Sequence, residues 1–103
     1  MSILQNLFRT SPKTDLKNII EQGAFLVDVR TPSEFASGHI KGSVNIPLDK
    51  IPSQLSLLKG KKQIVVFCQS GARSSQAKSI LERNGITGVT NAGSWKQVNQ
   101  YVK

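Results

Sequence analysis

The stretch Gln63-Ile64-Val65-Val66-Phe67-Cys68-Gln69-Ser70-Gly71-Ala72-Arg73-Ser74 decides the fold class. Ile64 to Phe67 are all apolar, with three β-branched residues in a row, the pattern of a strand buried on both faces rather than on one. The chain then turns where Gly71 permits conformations that a Cβ would hinder. A helix is expected from about Arg73 to Asn84, with Ala77, Ile80 and Leu81 facing inward and Gly85 just past its end. A doubly buried strand running through a tight loop into a helix is the repeating unit of a parallel α/β sheet.

The flanking sequence repeats that unit. Asp15 can cap a helix bearing Leu16, Ile19 and Ile20, and Gly23 ends it. Phe25-Leu26-Val27-Asp28-Val29 reads as another buried strand. Thr31-Pro32-Ser33-Glu34 is a helix start, with Thr31 as N-cap, Pro32 at the first helical position and Glu34 closing a capping box; Gly38 stops that helix. Val44-Asn45-Ile46 is a short strand ended by Pro47. The segment from about Leu48 to Leu58 is helical but must bend or restart at Pro52, which has no amide proton. A short strand near Gly88-Val89-Thr90 and a helix from about Trp95 to Val102 complete the chain. Strands alternating with helices predict a parallel sheet covered on both faces.

The 103 residues amount to one domain. Residues 13–103 are expected to form it, with residues 1–12 as an N-terminal arm or short helix packing Ile3, Leu4, Leu7 and Phe8 onto it. No secretory leader is visible, nor any run near the roughly 18 apolar residues of a membrane span. The expected location is the cytoplasm, with no membrane partner.

Fourteen Lys and Arg against six Asp and Glu give a net charge of +8. The basic residues are scattered, and only Lys59, Lys61 and Lys62 cluster, around a glycine turn. Aromatic residues make up 6% of the chain, too few for a base-stacking platform. Nucleic acid is therefore not the expected partner, and a small anion remains compatible with the charge. The chain has one cysteine. It can form neither an intrachain disulfide nor a multi-cysteine metal site, so no metal or other cofactor is expected.

That cysteine, Cys68, lies where a strand ends and a helix begins, the usual place for ligands in α/β sheets. Inward backbone amides and the helix dipole there favour a thiolate. Its pKa is expected to fall from ~8.5 into the ~3.5–7.5 range of helix N-termini. Ser70 and Ser74 can donate hydroxyl protons, and Arg73 brings a permanent positive charge. The bland alternative is a small buried core residue. A core cysteine needs neither a glycine turn nor an arginine five positions on, which favours a reactive thiol.

The loop Cys68-Gln69-Ser70-Gly71-Ala72-Arg73 is similar to the active-site loop Cys-x-x-Gly-x-Arg of the rhodanese (sulfurtransferase) family. Two upstream stretches resemble that family as well. One is Val27-Asp28-Val29-Arg30 followed by Glu34-Phe35. The other is Gly38-His39-Ile40-Lys41-Gly42-Ser43-Val44-Asn45-Ile46-Pro47, which departs from the family pattern only at Ser43. The resemblance runs from about Leu16 to Val102. It implies a central five-stranded parallel sheet flanked by helices on both faces.

It also implies a catalytic Cys68 that takes a sulfane sulfur from thiosulfate or a similar small anionic donor as a persulfide. A thiophilic acceptor (cyanide in an assay, a cellular thiol or a protein cysteine otherwise) then removes it. Gln69, Ser70, Gly71, Ala72, Arg73 and Ser74 are the expected persulfide- and substrate-binding residues, with Arg73 attracting the donor dianion. Asp28, Arg30 and Glu34 are expected to form an ion-pair set fixing the first strand-to-helix turn, and His39 to be structural. Ala92 stands where the family commonly has glycine, and Trp95 is expected in the core. Two other functions compete. A cysteine-dependent phosphatase would use Cys-x5-Arg, one residue longer than the spacing here, and a non-catalytic interaction module would have no use for the thiol.

Overall fold

Five consecutive buried side chains, Ile64 through Cys68, form the central strand of a parallel sheet in the computed structural model, which describes residues 12–102. The elements are α1 (Pro12–Glu21), β1 (Phe25–Asp28), α2 (Pro32–Ser37), β2 (Val44–Asn45), a 3-10 helix (Leu48–Gln54), α3 (Leu55–Leu58), β3 (Ile64–Cys68), α4 (Ala72–Arg83), β4 (Val89–Ser94) and α5 (Trp95–Asn99). The sheet has the order β2-β1-β3-β4, with every pair parallel.

Alternation along β3 divides the core. Ile64, Val66 and Cys68 join Val27, Ile51, Leu58, Ala77 and Leu81 on one face. Val65 and Phe67 join Leu16, Leu26, Ile40 and Val98 on the other. Helix α4 with the 3-10 segment covers the first face, and α1 with α5 the second. Each fully buried Val, Leu, Ile or Phe contributes roughly 1.5–3 kcal/mol of transfer free energy. No helix among the described residues is long and apolar enough to cross a membrane.

The local signals hold at most boundaries. Thr31, Pro32 and Glu34 form the expected capping box on α2. At the end of α4, Gly85 (φ 81°) donates to Glu82 O at 3.1 Å, and Ile86 N–H to Leu81 O at 3.0 Å, the paired bonds of a Schellman motif. Gly23 ends α1 in the same way: its N–H donates to Ile20 O and that of Ala24 to Ile19 O.

Four expectations are corrected. The described residues hold four strands, not five, because every apolar run of strand character among them is already used by β1 to β4. Helix α1 begins at Pro12, so Asp15 lies inside it rather than capping it; proline suits a first helical turn, where its missing N–H is no loss. The last helix ends at Asn99, three residues early. Strand β4 runs to Ser94 rather than stopping near Thr90, through a register shift that pairs Val66 with Asn91 but Phe67 with Gly93. Ala92 is the extra residue, and it packs against the Phe67 cluster. The expected N-terminal arm lies outside the described residues except for Pro12.

Candidate active site

Cys68 ends β3 on the face covered by α4 and is 1% exposed, and Gln69 and Ser70, which follow it, are exposed. Gly71, at φ 111°, turns the loop into α4, a left-handed conformation that favours glycine. Its N–H donates to Cys68 Sγ at 3.0 Å. A Cβ at Gly71 would lie 3.4 Å from the Cα of Gly93, so the β4 bulge sits directly against the loop. The Ala92 substitution therefore leaves this approach intact, because Gly93 makes the contact.

Two opposing influences act on the thiol. Burial pushes its pKa up and is the largest single influence. The Ser74 hydroxyl, the backbone amides of Ser74 and Gly71, and that of Ser70 together outweigh it, and hold the pKa below the ordinary thiol value. Ser74 is fully buried; its Oγ lies 3.5 Å from Cys68 Sγ, 3.1 Å from Gly71 O and 2.6 Å from Asn91 Oδ1.

The charged residues pair differently from the expected single set. Asp28 and Arg30 are 0% and 3% exposed. Arg30 Nε donates to Oδ1 and Oδ2 of Asp28 at 2.9 and 3.0 Å, and its Nη2 to Oδ2 at 2.7 Å. Nη2 also reaches Gly38 O at 2.8 Å, and the guanidinium lies 4.6 Å from the Trp95 ring centroid. This pair locks β1 to the start and end of α2.

Glu34 stands apart from that pair and binds the loop's own arginine. Arg73 Nη1 and Nη2 donate to its two carboxylate oxygens at 2.7 and 3.0 Å. The guanidinium expected to attract the donor is thus committed to clamping α4 onto α2, and its charge is largely offset. Hydrogen bonds from Arg73 and from Thr31 N–H hold the Glu34 pKa at about 2, against an ordinary 4.5. A depressed carboxylate pKa stabilises the fold fully above about 4.5, and that contribution fades as pH falls towards 2. Denaturant titrations across that window should show a smaller acid-induced loss of stability in Glu34→Gln than in the parent protein. The effect should be modest, because the pair is about one-third exposed.

His39 is hydrogen-bonded, as expected of a structural histidine. Its Nδ1 lies 2.8 Å from Phe35 O, which can only accept, and its ring stacks on Phe35 at 3.8 Å. Trp95 is half-buried and packs against the core cluster of Phe67, while it also borders the site. Its Nε1 is buried with no hydrogen-bond partner among the described residues. With Arg30, Gly38, Gln69 and Lys96 it lines a cleft of about 280 Å³ beside the loop. A larger cavity, about 540 Å³, lies between Ala24 and Lys62 at the opposite end of the strands, away from the thiol.

Asn91 is the site residue that sequence reasoning missed. Its Oδ1 accepts from both Ser74 Oγ and Gly93 N–H. No local sign marked it, because the strand was expected to end near Thr90; what it faces depends on the bulge and on α4.

Residues 12–100 match the family model of the rhodanese-like domain. The chain is 36% identical over 74 residues to the thiosulfate sulfurtransferase PspE of Escherichia coli, covering 70% of this chain and 71% of that protein. It is 37% identical over 81 residues to the uncharacterized protein YqhL of Bacillus subtilis, covering 78% of this chain; the chain spans 64% of that relative's length. Among solved structures, a rhodanese with anions from E. coli superposes with a TM-score of 0.67 at 35% identity, over 73% of this chain and 91% of that one.

Proposed function

The chain belongs to the rhodanese-like domain family, and from that membership we propose that it is a thiosulfate sulfurtransferase-like enzyme carrying sulfane sulfur on Cys68. The observation that carries this reading is the setting of the thiol. It is a buried sulfur with a lowered pKa at a helix start, with Gly71 N–H 3.0 Å away and the Ser70 and Ser74 amides around it.

In the first half-reaction the thiolate attacks the outer sulfur of thiosulfate. A new sulfur–sulfur bond forms to Cys68, and the old one breaks with its electron pair leaving on sulfite. One negative charge remains, on the terminal sulfur of the persulfide, where loop amides can stabilise it. In the second half-reaction a thiolate or cyanide attacks that terminal sulfur. Cys68 leaves as the thiolate, and the acceptor departs as a persulfide or as thiocyanate. A terminal sulfur is the slimmest part of such a donor, which suits a buried thiol.

Attraction of the anion falls to the α4 dipole, the loop amides and Lys96 in the adjoining cleft, since Arg73 is held by Glu34 and Arg30 by Asp28. The same arrangement disfavours phosphoryl transfer. Only four residues separate Cys68 from Arg73, and both Nη donors that would clasp a phosphoryl group are occupied. A purely non-catalytic module would gain nothing from the lowered thiol pKa.

Intact-mass measurement after thiosulfate treatment should show a gain of about 32 Da, one sulfur, with release of sulfite and reversal by cyanide. Absence of an adduct with thiosulfate and with polysulfide would overturn the carrier role.

A further inference from the structure

We propose that Asn91 is a positioning residue that holds the Ser74 hydroxyl proton away from Cys68 while the sulfur is neutral, and competes with the thiolate for that proton once the sulfur is charged. The inference rests on the sulfur-carrier reading above and adds a residue that controls the carrier's charge state.

Ser74 has one hydroxyl proton and three acceptors around it: Cys68 Sγ at 3.5 Å, Gly71 O at 3.1 Å and Asn91 Oδ1 at 2.6 Å. The orientation of the Asn91 amide follows from its neighbour. Gly93 N–H, 2.9 Å away, can only donate, so the atom facing it and Ser74 is the carbonyl oxygen. A contact of 2.6 Å between two oxygens requires a proton between them, and only Ser74 has one to give. With that proton on Asn91, Ser74 turns lone pairs towards sulfur and accepts the hydrogen of the neutral thiol.

Ionising Cys68 reverses the preference. A thiolate attracts the hydroxyl proton, and turning it from Asn91 to sulfur gives up the 2.6 Å bond to Asn91 Oδ1. Asn91 therefore opposes thiolate formation. In the persulfide the charge has moved to the terminal sulfur, Cys68 Sγ is neutral, and the proton can return to Asn91 without loss. The residue thus favours the loaded form over the free thiolate.

The arrangement joins α4 to β4 and depends on the Ala92 bulge, which places Asn91 opposite Val66 and Gly93 opposite Phe67. The charged groups around the thiol are Arg73 on α4, Glu34 on α2, the Asp28–Arg30 pair at the end of β1 and Lys96 on α5. The first four form two neutral pairs, and Lys96 is exposed, so the hydroxyl proton is the adjustable contact beside the sulfur.

Because Cys68 is the single cysteine, the ultraviolet absorbance of its thiolate against pH, taken as the difference from Cys68→Ser, reports this group alone. Asn91→Ser keeps a side-chain oxygen that can accept from Gly93 N–H but is too short to reach Ser74. It should lower the thiol midpoint by roughly one unit, the size of one added charge-assisted hydrogen bond. Ser74→Ala should raise the midpoint, and adding Asn91→Ser to it should change nothing further. An unmoved or raised midpoint in Asn91→Ser, or an equal shift in both backgrounds, overturns the role of Asn91. Thiosulfate loading of the parent protein separates the two readings. Failure to load overturns the sulfur-carrier function, whereas loading with an unmoved midpoint overturns Asn91 alone.

Discussion

Cys68→Ser should lower thiosulfate-to-cyanide sulfur transfer by on the order of 10⁴-fold or more, the scale of loss when a covalent nucleophile is removed. A serine hydroxyl ionises far above neutral pH, and nothing nearby can act as its base. The only histidine, His39, is bonded to Phe35 O and stacked on the Phe35 ring. The loop amides would also face a shorter, less polarisable atom. The fold should persist, because serine fills nearly the same volume and Gly71 N–H keeps an acceptor. A thermal unfolding curve within a few degrees of the parent, together with loss of both turnover and the sulfur adduct, checks this outcome. Retained turnover in the variant would place the transferable sulfur elsewhere.

Arg30→Ala should be the most destabilising change near the site. It leaves Asp28, 0% exposed, as an unpaired buried carboxylate, and breaking such a pair typically costs about 3–5 kcal/mol. It also removes the Nη2 bond to Gly38 O and the guanidinium over Trp95. A loss of that size lowers the melting temperature by on the order of 15 °C in a domain of this length. Calorimetry or denaturant titration measures it directly. Asp28→Asn/Arg30→Met should recover part of the loss, since it removes both charges together. Recovery would be incomplete if Asp28 Oδ1, which accepts Arg30 N–H at 2.9 Å, is poorly replaced. Equal stability of Arg30→Ala and the parent would show that the pair contributes nothing to the fold.

The two predictions differ in how far they were legible beforehand. The role proposed for Cys68 follows from local order: a buried apolar strand, a glycine turn, then a helix. The Arg30 pairing was foreseen in kind but not in membership. Asp28 and Arg30 are two residues apart at the end of one strand, so their bond is nearly local. Glu34 is near them in the chain, yet it turns to Arg73, 39 residues away. Capping Thr31 points its carboxylate outward from β1, and the parallel pairing of β1 with β3 brings the two strand-to-helix turns side by side.

Strand β4 shows the same limit. Its start was visible in Val89, but its continuation to Ser94 depends on a bulge that no propensity marks, with Ala92 filling space beside Phe67. The restart expected at Pro52 falls three residues later, between Gln54 and Leu55. A 3-10 helix over Leu48–Gln54 runs through Pro52, and α-helix begins only at Leu55.

By itself the sequence determined the order and type of the elements, the α2 cap, the glycine stops and the placing of the one thiol at a helix start. Those are short-range matters of apolar period, missing amide protons and backbone freedom. Only the tertiary structure decided what the reactive groups face: Glu34 against Arg73, and Asn91 against Ser74 across 17 residues. Such pairings depend on strand order and register, which no local window contains, and they decide which hydrogen bonds reach the sulfur.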